Sequence, residues 1–282
     1  MGAGPELRAV GGGALPPIAT RVVIGVCDLS GAGVRALLGL SPGDGTQPTT
    51  CALELHVGGS IPGSSGDGEG DGDEEGGDGA GSGAKAVGAV FTPGGDPDLA
   101  EGTSQILLIN LLPGVTLIAA NTPLGVDEEA SFAAAVYALT AASGCTSVVL
   151  VGALKLNVKG EGKIFQAVMN GCQALDAGAA GVRGAAAFEA LPGGTAVNDG
   201  VIAALMHAMR AAAMPTACLF THGYRVPKLG GEAEEEAAAA VGRLGAAAAA
   251  ALGCEYRSKG LAAIKLWHED TTAPKNTDRM YM

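Results

Sequence analysis

No C-x-x-C pair occurs among the six cysteines of this 282-residue chain (Cys27, Cys51, Cys145, Cys172, Cys218 and Cys254). That absence rules out the usual zinc and dithiol frameworks. Several of the six lie in or beside apolar runs, as small buried hydrophobes of a reducing compartment do. The four histidines (His56, His207, His222 and His268) have no ligand spacing among themselves or with the cysteines, so no metal site is expected. No G-x-S-x-G occurs, which excludes a nucleophile elbow. No stretch has the length and apolarity of a membrane span, and the first residues lack the basic and apolar regions of a signal peptide. Met1-Gly2 invites myristoylation, but Glu6 stands where a Ser or Thr is required. A basic excess is missing too: the formal charge is -12, which argues against a nucleic-acid partner or an anionic membrane surface. These absences predict a soluble protein of the cytosol or nucleus.

Much of that charge is local. Between Gly58 and Ala84 there are seven acids (Asp67, Glu69, Asp71, Asp73, Glu74, Glu75 and Asp78) and no base. Without them the formal charge would be -5, so the remainder is only mildly acidic. The tract has almost nothing to bury and reads as a disordered acidic insert, a solvated loop insertion rather than an interaction arm.

What is present is an α/β pattern organised around Thr103–Leu154. Gln105–Leu112 and Val115–Asn121 are apolar runs broken by Pro113-Gly114, a turn pair between two strands. Asp127, Glu128 and Glu129 open a helix that Gly144 closes. Ser147–Leu154 is apolar along its length, as a strand covered on both faces is. Around this unit the chain predicts strands at Arg21–Cys27, Thr50–Val57 and Thr216–Thr221, with a weaker one at Ala185–Leu191. Helices are expected at Val34–Leu40, Lys163–Ala177, Asn198–Ala213 and Glu232–Leu252, and a last apolar segment at Leu261–Trp267. The expected architecture is a three-layer single α/β domain with a mostly parallel sheet. It has a flexible N-terminus at 1–19, a domain at 20–268 containing the 58–84 insert, and a flexible C-terminal tail at 269–282.

Motifs that would carry chemistry are few. Gly31-Ala32-Gly33-Val34-Arg35-Ala36 matches G-x-G-x-x-A between a strand and a helix, and Glu54 lies where a ribose ligand would. It supports the alternative of a nucleotide- or dinucleotide-binding enzyme. It fits badly in two ways: Cys27–Ser30 intervene before the first glycine, and the following helix is short. Gly160-Glu161-Gly162-Lys163 lacks the Ser or Thr of a phosphate loop, because Ile164 follows. His207 lies among apolar helix residues and is expected in a core or an interface. His222, at a strand end, would face a cleft with Asp199, but two residues without a nucleophile make no mechanism. No catalytic residue and no cofactor is expected.

The chain ends on Met280-Tyr281-Met282: a hydrophobe, a penultimate tyrosine and a carboxylate. Such a tail suits insertion into a pocket, the carboxylate pairing with a lysine and the tyrosine supplying apolar area and a hydroxyl. With RVVIGVCDLSGAG early, ILLINLLPGVTLIAA and SVVLVGAL centrally, and NDGVIAALMHAMRAAAMPTACLFTHG late, the chain resembles the proteasome assembly chaperones over about residues 20–282, the insert apart. The resemblance implies a non-enzymatic protein that pairs with a second proteasome assembly chaperone as a heterodimer. It also implies docking on proteasome α subunits, with the family's tail motif falling on Met280, Tyr281 and Met282.

Overall fold

The long apolar runs become the middle of one sheet. A computed structural model describes residues 4–57, 105–122, 124–158, 162–176, 188–223 and 232–257. In chain order the elements begin with β1 (Glu6–Ala9), β2 (Arg21–Val26), α1 (Ala32–Leu38), β3 (Leu40–Ser41) and β4 (Thr49–His56). Next come β5 (Gln105–Leu112), β6 (Val115–Asn121), α2 (Val126–Ala142), β7 (Ser147–Leu154), β8 (Phe165–Met169) and β9 (Glu189–Ala190). The last are α3 (Gly200–Ala211), β10 (Thr216–His222), α4 (Glu232–Leu252) and β11 (Glu255–Tyr256).

Among the described residues nine strands form one sheet in the order β1-β4-β5-β6-β2-β7-β10-β8-β9. Its centre, β6-β2-β7-β10, is parallel, and antiparallel pairs extend it on both sides. Val23 stands between Leu117 and Val149, and Ile24 between Ile118 and Leu150, so branched side chains stack in rows across the centre. The β5–β6 hairpin turns at Pro113-Gly114, with Gly114 at φ 86°, a conformation L side chains rarely adopt.

Helices cover both faces, giving three layers. Val23, Leu117, Val149, Val151 and Leu219 point to the face of α1 and α4. Val22, Ile24, Ile118, Leu150 and Phe220 point to the face of α2 and α3, where Phe132, Val136, Ile202, Leu205 and Met209 meet them. Both faces of the central strands are therefore buried, which is why Ser147–Leu154 shows no polar alternation. α2 begins where the Glu128 carboxylate accepts the Gly125 N–H at 2.9 Å, and α3 where Asp199 accepts the Ile202 N–H at 2.9 Å. A second, two-stranded sheet, β3 with β11, packs against α4 just beyond the end of α1.

Two expectations are corrected. Glu6–Ala9 is not frayed: it pairs antiparallel with β4 and buries Leu7 and Ala9, because Leu7 and Ala9 alternate with polar Glu6 and Arg8 along an edge strand. The helix expected over Lys163–Ala177 is instead strand β8, antiparallel to β10. Ile164, Phe165 and Val168 suit either period in so short a run, and Asn170 and Gly171, both at positive φ, end it. Asn170 Nδ2 donates to the carbonyls of Met209 at 2.9 Å and Met214 at 2.8 Å, tying that turn to the end of α3. The Gly58–Ala84 insert and the Leu261–Trp267 segment lie outside the described residues.

Candidate functional site

The order β6-β2-β7-β10 creates a crevice. From β2 the chain leaves to α1 on one face, whereas α2 carries it from β6 over β2 to β7 on the other. Between the C-terminal ends of β2 and β7 the connections diverge, which is where open α/β sheets place ligands. Asp28 sits there, two residues beyond β2. Its carboxylate accepts the Gly33 N–H at 3.1 Å with both oxygens, and the Ala153 N–H of β7 with Oδ2. Thus the chain's own carboxylate occupies the amides at the start of α1, the position an anionic ligand would need.

The glycines of the G-x-G-x-x-A match serve packing. A Cβ on Gly33 would stand 2.6 Å from the Val151 carbonyl oxygen, and one on Gly25 would stand 2.5 Å from the Gly33 oxygen. Both are needed for α1 to lie directly on β2 and β7. Glu54 is on β4, separated from β2 by β5 and β6, roughly 14 Å at the usual strand spacing. It is exposed, with its Oε1 2.9 Å from His56 Nε2. The structure therefore does not bring Gly31, Gly33 and Glu54 together as a nucleotide site.

Other carboxylates gather at the crevice. Asp199 caps α3, and the Glu129 carboxylate of α2 lies against Gly200. Burial lifts the Asp28 carboxyl well above the usual range; the charge of Asp199 adds to this, against the N–H groups of Ala153, Gly33 and Ala32. Burial also raises Asp199, opposed by the Ile202 and Val201 amides, and burial followed by the Asp199 charge raises Glu129. Asp28 thus fastens the start of α1 to β7, and Asp199 caps α3 beside it.

The remaining residues singled out by the sequence fall elsewhere. His222 lies edge-on to Phe165, ring centroids 5.8 Å apart, while Asp199 meets Asp28 and Glu129. His207 is exposed on α3 and is not a core residue. Lys163 pairs with Glu189 at 2.6 Å in a half-exposed bridge. Cys145, Cys218 and Cys254 are buried, and burial pushes the thiols of Cys218 and Cys254 up to about 12. Among the described residues no group of three or more His, Cys, Asp or Glu is arranged to hold a metal ion. No helix of the described residues is long and apolar enough to cross a membrane. Met280, Tyr281, Met282 and His268 lie outside the described residues. Sequence reasoning missed Asp28 and Glu129; the available signal was an acid immediately following a fully apolar strand.

No family model matches the chain, and no curated protein matches it in sequence. Several solved structures align with most of its length. PbaB of Pyrococcus furiosus, described as an archaeal proteasome activator, is 12% identical with a TM-score of 0.51, over 92% of this chain and 93% of that one. PbaA of Pyrococcus furiosus, described as an archaeal homolog of proteasome-assembly chaperone, is 10% identical with a TM-score of 0.45, over 92% and 90%. A protein with unknown function from Thermoplasma acidophilum is 12% identical with a TM-score of 0.49, over 94% and 88%. The likeness to PbaB shows a shared fold.

Proposed function

We propose that this chain is a proteasome assembly chaperone, similar to proteasome assembly chaperone 1. It acts in the cytoplasm, and also in the nucleus, as a heterodimer with a second assembly chaperone on the α-subunit ring. Its Met280-Tyr281-Met282 tail docks in a pocket between α subunits, and it performs no catalysis. The observation that carries this reading is the fold shared with an archaeal proteasome activator over nearly the whole chain. The order of apolar segments and the hydrophobic-Tyr-X end support it independently. The placement of Asp28 disfavours the nucleotide-binding alternative, since a phosphate at α1 would meet a carboxylate already bonded to the amides. Tagged full-length chain recovered from cell extract should bring proteasome α subunits and a related chaperone with it. Recovery of neither, together with a saturable thermal shift in nucleotide, would contradict the proposal, because a ligand of the folded state raises stability by mass action.

A further inference from the structure

Among the described residues only two besides glycine adopt positive φ, and one braces the other. Asn170, at φ 54°, and Gly171, at φ 71°, are the central pair of a turn in which the Cys172 N–H donates to the Met169 carbonyl at 3.1 Å. Ala213, at φ 51°, ends α3. Its N–H donates to the Arg210 carbonyl at 3.1 Å, and the Met214 N–H donates to the Met209 carbonyl at 3.0 Å, the paired bonds of a Schellman cap. Alanine in that position is strained where glycine would not be. The Asn170 side chain holds the cap from outside. Its amide nitrogen carries two hydrogens, which go to the Met209 carbonyl at 2.9 Å and the Met214 carbonyl at 2.8 Å, on either side of Ala213 in the chain.

Asn170 is also the chain's one asparagine followed by glycine. With no side chain on the next residue, that residue's main-chain nitrogen can reach the carboxamide. Attack of the Gly171 nitrogen on Asn170 Cγ forms a C–N bond and closes a succinimide ring. The Cγ–Nδ2 bond breaks, and ammonia leaves with the proton of the attacking nitrogen. Water then opens the ring to aspartate or isoaspartate. In the fold the leaving nitrogen is the atom bonded to both carbonyls of α3, so the ring closes only after the carboxamide lets go of the cap. Gly171 is exposed and Asn170 partly so, which gives water access once that happens. The product sets a carboxylate, which has no hydrogen to give, against two carbonyl oxygens, and the brace does not re-form.

We propose that Asn170 is a deamidation site guarded by the end of α3, so that an opening of this edge of the domain can be made permanent by chemistry on the chain itself. The site uses no residue of the C-terminal tail and stands or falls separately from docking to the proteasome. The full chain is incubated at mildly alkaline pH in buffer and in guanidinium chloride, and peptide mapping by mass spectrometry follows Asn170 against the other asparagines. In denaturant Asn170 should deamidate first; in buffer it should react about tenfold or more slowly than in denaturant, because the reaction waits for local opening. Ala213→Val puts a β-branched residue at positive φ, loosens the cap, and should raise the rate in buffer about fivefold or more, with far-UV circular dichroism confirming that the variant folds. Asn170→Asp should raise the unfolding equilibrium constant about tenfold or more, and chain deamidated in denaturant and refolded should share its lowered midpoint. Equal rates in buffer and denaturant, a rate unmoved by a folded Ala213→Val, or an Asn170→Asp variant with the wild-type midpoint would overturn the assignment.

Discussion

The two helical layers treat apolar helices differently. All seven residues of α1 are buried, including Arg35, because it lies between the sheet and α4, which packs along it. Tyr256 of β11 reaches back so that its hydroxyl donates to the Val241 carbonyl of α4 at 3.3 Å, and the Arg257 N–H donates to the Gly39 carbonyl at 2.8 Å. In the opposite layer α2 is as poor in charge beyond its first turn, but α3 and the sheet cover only one side of it. An apolar helix can thus be enclosed within its own domain or keep an exposed side. Composition alone does not distinguish the two.

Substitutions can sharpen that contrast. The largest effect is expected from Phe132→Ala, which empties a fully buried site where α2 meets the sheet. Truncations of this kind typically cost about 3–5 kcal/mol, and urea unfolding should show a midpoint lowered to match, whereas Tyr137→Ala on the open side should move it far less. Next comes Gly33→Ala in the closed layer. Its Cβ would lie 2.6 Å from a backbone oxygen of β7, an overpacking that costs about 1–3 kcal/mol or more as α1 lifts from the sheet. An unchanged midpoint would show that α1 does not rest on β7 as described.

A smaller effect concerns protons at the crevice. The carboxyls of Asp28, Asp199 and Glu129 are raised on folding, so the folded chain holds protons more tightly than the unfolded one there. Their contribution is fully present below the ordinary carboxylate values and is lost as pH rises through the raised ones. Melting temperature should therefore rise as pH falls from neutral towards the ordinary carboxylate range. Asp199→Asn keeps a good cap for α3 while removing a charge, so it should flatten this slope without loss of stability at neutral pH. An equally steep slope in that variant would place the proton linkage elsewhere.

Much of the fold was legible because long apolar runs were punctuated by turn residues. Gln105–Leu112, Val115–Asn121, Ser147–Leu154 and Glu232–Leu252 form the elements expected of them. Short runs were not legible. Glu6–Ala9 is a strand only because β4 offers it an edge, and Phe165–Met169 because β10 does. At the crevice, Gly31 and Gly33 were visible as a turn. The acid whose carboxylate takes the Gly33 amide was not, since its burial depends on β7 and α3, far along the chain. The tail was legible as chemistry alone: a hydrophobe, an aromatic hydroxyl and a carboxylate.

That tail carries the proposed docking, and it is the part most directly tested. Binding of purified full-length chain to proteasome α subunits should be compared for the wild type, for Tyr281→Ala and for a chain extended by one residue after Met282. Pairing with the second chaperone serves as the control. Tyr281→Ala should weaken α-subunit binding roughly thirtyfold, the consequence of about 2 kcal/mol lost at an aromatic anchor. The extension should do comparable harm by leaving a pocket lysine without its carboxylate. Chaperone pairing should persist in all three, since neither change touches the domain. Equal binding of α subunits by all three would contradict the account.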